Sequence, residues 1–303
     1  MEIVPGIHRI EIPFGEGVVC VFLLVGKDHT LLIDTGTDEM PEEWIEPYAR
    51  SIGLDLSSLH FVINTHADFD HTAGNASVRE MCPRAIFMCY EADREMVEDI
   101  EVMIDRRYSE WEKDHGIGDG DDAKEFIRKA SRHIPVDISL QGGEKLNLGD
   151  GWNVEIWHTP GHTRGHLTVY DPGRNIAIIA DAALHNAVPR ADGSPAFPPT
   201  YRHTQDYIFS LEHLLKHQFD ILLTSHYPVY SGPEVASFLE ESRDYVDRVD
   251  QALITQLQES KVDQTLADLT YSLGPVLGAW PDEASPYLCF PLTGHLEHLE
   301  KCQ

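Results

Sequence analysis

Four side chains that bind metal ions well fall within six residues of this chain: His66, Asp68, Asp70 and His71. They follow the apolar run 59–64, whose pattern predicts a buried strand, so they lie on the loop between that strand and a helix. Histidines and aspartates this dense would repel one another or go unsatisfied in a protein core. Around a divalent cation the same groups become ligands, and the stretch therefore predicts a metal site.

This stretch resembles the H-x-H-x-D-H signature of the metallo-β-lactamase superfamily, with Asp68 at the position where a second histidine is usual. Four further stretches resemble blocks of that family and occur in the same order: the early strand and turn at 31–36, the third-ligand loop at 158–166, the strand that delivers the bridging aspartate at 178–181, and the strand end with the last histidine at 224–228. Five blocks in order are stronger evidence than any single motif.

The resemblance implies a site for two metal ions. His66, Asp68 and His162 would hold the first ion, Asp70, His71 and His226 would hold the second, and Asp181 would bridge them. Two cations close together can share a water, lower its pKa toward neutrality and present hydroxide to an electrophile. Asp70, next to that water, is the candidate catalytic residue that receives the proton. We expect two divalent ions, with zinc first and iron or manganese as the alternatives.

Asp68 is the departure from the family pattern. Aspartate is shorter, harder and more negative than histidine, and direct ligation would give a site of two histidines and two carboxylates. Such a donor set favours iron or manganese while leaving zinc open. The family's diiron oxidoreductases place a glutamate at this position. The alternatives to direct ligation are a bridging water and a site that holds one metal only.

Several residues near the ligand blocks are candidates for supporting the site. Asp34 either orients a ligand imidazole or caps its own turn, and His166 is expected to hydrogen-bond next to the ligands. His185, Tyr201 and Tyr227 are candidates for contacting substrate, with a surface or packed position as the alternative for each. Four histidines in predicted helices are expected to be solvated: His213, His217, His295 and His298.

The order of strands and helices predicts an α/β fold with two packed sheets covered by helices on both sides. This is the αββα sandwich of the metallo-β-lactamase type, and we assign residues 1–232 to that catalytic domain. The strand at 136–140 is assigned to the second sheet. Residues 91–133 exceed the short connection that the family core needs, so they form a helical insertion, either a lid or substrate wall, or a peripheral hairpin or dimer contact. Residues 233–303 are predicted to form a C-terminal helical subdomain.

Composition limits the partners. The 303 residues carry a formal charge of −28, with 51 acidic and 23 basic side chains, and such a surface repels phosphate backbones and anionic lipid. We therefore expect a small-molecule substrate, no nucleic acid and no membrane, with a homodimer left open. The absence of a signal-like N-terminus and five scattered cysteines without a C-x-x-C pair favour reduced thiols and a cytoplasmic location.

The function that these patterns favour is metal-dependent hydrolysis of an ester-like substrate by a metal-bound hydroxide. The substrate would be a thioester, ester, lactone or lactam, with a phosphodiester left open, because the length, the insertion and the C-terminal helices resemble thioesterase- and lactonase-like members of the family. One alternative is a diiron oxidoreductase that acts on oxygen or nitric oxide, which Asp68 favours. The other is a regulatory binding protein with a vestigial metal site.

Overall fold

The strands of this computed structural model form two large sheets and one short hairpin. The structure describes residues 1–260 and 262–301, so Cys302 lies outside the described residues. The strands are β1 (Glu2–Val4), β2 (Ile7–Phe14), β3 (Gly17–Val25), β4 (Thr30–Ile33), β5 (Phe61–Ile63), β6 (Ile86–Tyr90), β7 (Ile138–Leu140), β8 (Lys145–Gly149), β9 (Trp152–His158), β10 (Leu167–Asp171), β11 (Ile176–Ala180), β12 (Val188–Pro189), β13 (Pro195–Phe197), β14 (Ile221–Thr224) and β15 (Tyr230–Ser231).

Helices occupy the connections and the C-terminal quarter of the chain. They are α1 (Glu46–Ser51), α2 (Phe69–Thr72), α3 (Asn75–Met81), α4 (Arg94–Glu98), α5 (Ile100–Met103), α6 (Glu112–His115), α7 (Asp121–Ala130), α8 (Thr204–Leu215), α9 (Pro233–Glu259), α10 (Leu266–Leu277) and α11 (Cys289–Lys301). Turns of π-helix cover Pro41–Ile45 and Ile104–Tyr108, and 3₁₀-helical segments cover Leu56–Ser58, Glu91–Asp93 and Asp282–Leu288.

The side-chain alternation of β3 shows how the layers are built. Cys20, Phe22 and Leu24 point into the space between the two sheets, where they join residues of β9, β10 and β11. Val19, Val21 and Leu23 point to the other face, where they pack with residues of α1 and α3. The far face of the second sheet packs against α8, α9, α10 and α11. The predicted αββα sandwich is therefore confirmed.

The first sheet has the order β1-β2-β3-β4-β5-β6-β7, and the second has the order β15-β14-β11-β10-β9-β8. The assignment of residues 136–140 to the second sheet is wrong, because β7 pairs in parallel with β6 at the edge of the first sheet. The sequence of a short apolar strand does not show which strand it pairs with. The pairing of β7 depends on where the chain re-enters the sheets after the insertion. The proline-rich stretch 185–203, whose composition predicts a loop, contains the hairpin of β12 and β13.

Parallel pairing brings the predicted ligand blocks to one edge of the sandwich. In the first sheet β4 and β5 run parallel, and in the second β11 and β14 run parallel. Strand β9 shares their direction, because β10 is antiparallel to both β9 and β11. The residues that follow these five strands therefore meet at the carboxyl ends, where open α/β sheets form their sites.

The insertion is a series of short helical segments, whereas the spacing of its apolar residues predicts one long helix from residue 91 to 111. Asp99 is extended, with φ −137° and ψ 115°, and its carboxylate accepts hydrogen bonds from the backbone N–H groups of Glu101 and Val102. Capping by Asp99 therefore ends α4 and starts α5 in a new direction. The segment next turns toward the ligand edge of the sheets through the π-helical residues Ile104–Tyr108.

The C-terminal helices belong to the layer that covers the second sheet. Residues of α9, α10 and α11 share one hydrophobic cluster with α8, β11 and β14. Four cysteines are buried as free thiols: Cys20, Cys82, Cys89 and Cys289. In the described part of the chain, no helix combines the length and the apolar character that crossing a membrane requires.

Candidate metal centre

The loop after β5 presents its histidines from two short turns. Residues 65–67 bend away from the strand, and Asp68, with φ −63° and ψ 144°, is extended and precedes α2. Helix α2 then brings His71 next to His66, and the centroids of the two imidazoles lie 4.0 Å apart. Both imidazoles are fully buried. The H-x-D-x-D-H spacing therefore places four donor groups around one point, because an extended segment and a helical turn meet there.

Asp181 lies at the centre of the predicted ligands. Its Oδ2 atom is 3.3 Å from Nε2 of His226, 3.7 Å from Nε2 of His162, and 3.8 and 3.9 Å from Nε2 of His66 and His71. Asp70 Oδ2 lies 3.6 Å from His71 Nε2 and 3.8 Å from His226 Nε2. The structure thus brings all seven predicted ligand residues together: His66, Asp68, Asp70, His71, His162, Asp181 and His226.

The donor set fits a divalent metal ion. Nε2 of His66, Nε2 of His71 and Oδ1 of Asp181 are buried and have no hydrogen-bond partner among the described residues. Buried polar atoms are costly without a partner, and a cation would satisfy all three at once. Three overlapping groups have their donor atoms within 4.8 Å of one another: His66, His71 and Asp181; His66, Asp68 and His162; and Asp70, His71 and His226.

Charge and burial oppose each other within the cluster. Burial disfavours the imidazolium of His71 and of His226, but attraction to neighbouring carboxylates outweighs it and raises their pKa values to about 10 and about 9. Burial likewise acts against the carboxylate of Asp181, yet attraction to His226 and other imidazoles holds its pKa well below the usual range. Without a cation, protons on the imidazoles balance the carboxylates, so metal binding has to displace them.

Asp34 orients the ligand loop. Its carboxylate accepts hydrogen bonds from the backbone N–H and the hydroxyl of Thr65, both at 2.7 Å, and its Oδ2 lies 2.9 Å from Nδ1 of His71. Asp34 is fully buried and has φ 62°, a conformation that aspartate tolerates better than most residues. With Nδ1 held, the ring of His71 presents Nε2 to the cluster.

His166 and Asp93 hold the second half of the site. His166 accepts a hydrogen bond from the backbone N–H of Asp181 at Nε2, 3.1 Å away, and its ring stacks on His66. Asp93, which sequence analysis missed, accepts from the hydroxyl of Thr163 at 2.5 Å and from the N–H of Gly165 at 2.8 Å. The insertion therefore pins the loop that carries His162.

Three candidates for contacting substrate lie elsewhere. His185 contacts Glu241 at 2.6 Å, the hydroxyl of Tyr201 lies 2.9 Å from His295 Nε2, and the hydroxyl of Tyr227 donates to the carbonyl of Ala187 at 3.0 Å. None of the three is among the described residues that line the cavity beside the cluster. The expectation of solvation is wrong for His295, which is buried between Tyr201 and Asp250.

Arg107 is a second residue at the site that sequence analysis missed. Its guanidinium binds Asp68 through two parallel contacts, Nε to Oδ1 at 2.7 Å and Nη2 to Oδ2 at 2.9 Å. Attraction to Arg107 outweighs the burial of Asp68 and holds the pKa of that carboxyl well below its usual range. An arginine in a helical insertion 39 residues from its partner carries no local signal of such a role.

A cavity of about 510 Å³ opens from the cluster. Asp68, Asp70, His162, Asp181 and His226 lie on its floor. Its walls come from the β2–β3 turn, the insertion, the β12–β13 hairpin and the segment 281–290. The insertion thus forms part of the cavity wall. This is the substrate-wall position, one of the alternatives that the sequence left open.

His203 supplies a pH dependence outside the ligand set. Its backbone N–H donates to the carbonyl of Gly161, beside His162, and its half-buried ring makes no capping bond to α8. Burial, aided by repulsion from Arg164, lowers the pKa of His203 to about 3, against about 6.5 in the unfolded chain. Between these values the unfolded chain binds the additional proton, so His203 destabilises the fold increasingly as the pH drops below 6.5.

We therefore expect His203→Gln to stabilise the chelator-treated protein at pH 5 by as much as about 2 kcal/mol and to change little at pH 8. Urea unfolding of both proteins at the two pH values measures this difference. Equal stabilisation at pH 5 and pH 8 would show that the effect comes from packing and not from protonation.

Comparison with known proteins agrees with this geometry. Residues 14–226 match the model of the metallo-β-lactamase superfamily. The chain is 26% identical over 216 residues to the acyl-coenzyme A thioesterase MBLAC2 of Bos taurus, covering 65% of this chain and 67% of the relative. It is 24% identical over 182 residues to the probable metallo-hydrolase YqgX of Bacillus subtilis (strain 168), covering 60% and 74%.

Among solved structures, the metallo-β-lactamase family protein TTHA1429 of Thermus thermophilus superposes with a TM-score of 0.75 at 20% identity, covering 98% of this chain and 94% of that one. This similarity concerns the fold. The chain belongs to the metallo-β-lactamase superfamily. It is a metal-dependent hydrolase of that family.

Proposed function

We propose that the protein hydrolyses acyl thioesters or related esters that carry an apolar acyl group. The observation that supports this function most strongly is the cavity beside the Asp and His cluster, whose walls are mainly apolar and aromatic. Among the described residues, six aromatic side chains line it: Phe14, Phe69, Tyr108, Phe197, Tyr287 and Phe290. Apolar walls with a few polar groups at one end suit a substrate whose reactive carbonyl sits at the end of an apolar chain.

In this proposal Asp70, His71, His226 and Asp181 hold a divalent ion. Their two imidazoles and two carboxylates suit iron or manganese and also accept zinc, the ion that we expect first. Such an ion lowers the pKa of a bound water and polarises a scissile carbonyl. Asp70 is the proton acceptor, because its carboxylate lines the cavity beside the other ligands.

The side of the cavity away from the ligands determines which leaving group fits. Glu16, Asp119 and Glu283 contribute acidic groups to the lining, whereas Arg107 is the sole arginine or lysine among the described lining residues and is engaged by Asp68. A polyphosphorylated thiol such as coenzyme A gains no ion pair there. We therefore expect acyl recognition to provide most of the binding, with small uncharged thiols or alcohols accepted as leaving groups.

A panel of thioesters tests this proposal. For straight-chain acyl thioesters of N-acetylcysteamine, kcat/KM is expected to rise by up to about fourfold for each added methylene until the cavity is filled, since each buried methylene contributes about 0.8 kcal/mol. The coenzyme A thioester of the same acyl group is expected to have no lower KM. A β-lactam and a phosphodiester serve as comparison substrates.

Ala284 offers a matched variant, because it lines the cavity and does not belong to the ligand cluster. Ala284→Phe is expected to lower kcat/KM for long acyl chains while acetyl thioester turnover stays at the wild-type level. A wild-type preference for the β-lactam or the phosphodiester, or turnover independent of chain length, would contradict an acyl-chain site.

The contact between Arg107 and Asp68 also bears on the diiron alternative. That alternative depends on Asp68 acting as a free carboxylate ligand, whereas both of its oxygens face the guanidinium. Elemental analysis of protein purified without added metal separates the two functions, because zinc supports hydrolysis and iron would support redox chemistry.

A further inference from the structure

Arg107 reaches the cluster from the helical insertion. The π-helical turn Ile104–Tyr108 carries it, and its side chain is 5% exposed. Besides the two contacts to Asp68, Nη1 donates to the carbonyl of His162 at 3.3 Å, and the guanidinium carbon lies 4.3 Å from the ring centroid of Phe290. A planar guanidinium with this many fixed contacts is held in one place.

The position of the guanidinium coincides with donor atoms that the first predicted ion would require. Nη2 of Arg107 lies 2.9 Å from Asp68 Oδ2 and 3.1 Å from His162 Nε2. These two atoms, together with Nε2 of His66, define the first predicted metal position. A guanidinium remains charged at every physiological pH, so it cannot make room for a cation by losing a proton.

The second position has no such competitor. Asp70 and His226 make no contact with Arg107 in the structure, and Nε2 of His71 has no hydrogen-bond partner among the described residues.

We infer that Arg107 takes the place of the first metal ion, with Asp68 as its counter-ion, so that the chain binds one divalent ion tightly on the side of Asp70, His71 and His226. The guanidinium then provides the second positive charge on the floor of the cavity, where Arg107 is part of the lining. This inference rests on the proposed metal-dependent function and replaces the two-ion site that the resemblance implies.

Titration of the metal-free full-length protein with Zn²⁺ against a chromophoric chelator tests the inference directly. Wild-type protein is expected to bind one equivalent tightly and any second equivalent at least about a hundredfold more weakly. Two tight equivalents would overturn the role of Arg107 and leave the hydrolase proposal intact. No tight equivalent of zinc, iron or manganese would overturn the metal-dependent function itself.

Substitution identifies the side chain responsible. Arg107→Met removes the guanidinium and frees Asp68, so a second tight equivalent is expected, together with a larger rise in melting temperature on adding Zn²⁺. Arg106→Met is the matched control, because Arg106 is exposed and pairs with Glu95, and it is expected to keep one equivalent. A folded Arg107→Met protein that still binds one equivalent would overturn the inference.

If Arg107→Met fails to fold, Asp68→Asn tests whether Asp68 is a counter-ion of Arg107 or a ligand of the metal ion. Because Asp68 is a counter-ion in this inference, the asparagine variant is expected to keep its single equivalent with an affinity within about threefold of wild type. A loss of affinity of tenfold or more would show that Asp68 is a metal ligand and would overturn the inference.

Discussion

Replacing Asp181 by alanine is expected to remove the bound metal and to lower kcat/KM at least about a thousandfold. Asp181 is 4% exposed, and its Oδ2 lies within 3.9 Å of Nε2 in His226, His162, His66 and His71. No other carboxylate among the described residues approaches all four imidazoles. Without it, the four imidazoles face one another without a central carboxylate, and the negative charge that holds a cation among them is reduced.

Metal equivalents per chain and kcat/KM, measured on the same Asp181→Ala preparation, check this result. Asp192→Ala is the control. Asp192 is exposed on a loop, and its carboxylate accepts hydrogen bonds from the backbone N–H and the hydroxyl of Ser194, two residues along the chain. Full metal content in the Asp181 variant would remove this residue from the ligand set. Full activity without metal would contradict the proposed chemistry.

Replacing Asp34 by alanine is expected to weaken metal binding by about ten- to a hundredfold, although Asp34 is not itself a predicted ligand. Its carboxylate holds Nδ1 of His71 at 2.9 Å and two donors of Thr65 at 2.7 Å. The substitution leaves all of these donors buried without their acceptor. We therefore also expect the free energy of unfolding of the metal-free protein to fall by about 3 kcal/mol.

Zinc titration and urea unfolding of Asp34→Ala measure the two effects separately. Asp38→Ala is the matched control from the same loop, because Asp38 pairs with Arg132 and accepts from Ser77 away from the cluster. Reduced stability with unchanged metal affinity would assign Asp34 a turn-capping role alone, which is the alternative that sequence analysis left open.

The positions of the ligands along the chain could be predicted because five stretches resemble the metallo-β-lactamase blocks, and the local chemistry of those stretches agrees with the resemblance. Each predicted ligand block follows an apolar strand, and parallel pairing brings the ends of such strands to one edge. Histidines and aspartates at those ends are costly unless they share a cation. The αββα fold and the metal-dependent class of enzyme therefore followed from the residues between 31 and 228 and from their order.

The residues that sequence analysis missed or misplaced depend on contacts between distant segments. Arg107 and Asp93 come from the insertion and contact Asp68 and the His162 loop, and His295 is buried because α11 packs its ring against Tyr201 and Asp250. An arginine, an aspartate or a histidine on a helix has the same local pattern whether it faces solvent or a partner.

By itself, the sequence determined which groups could ligate a metal and where along the chain they occur. The tertiary structure decided that the insertion places a guanidinium against Asp68 and that the insertion and the segment 281–290 supply apolar walls for one cavity. The physical reason is that ligand motifs are local in sequence, whereas a buried ion pair and a cavity wall depend on how distant segments pack.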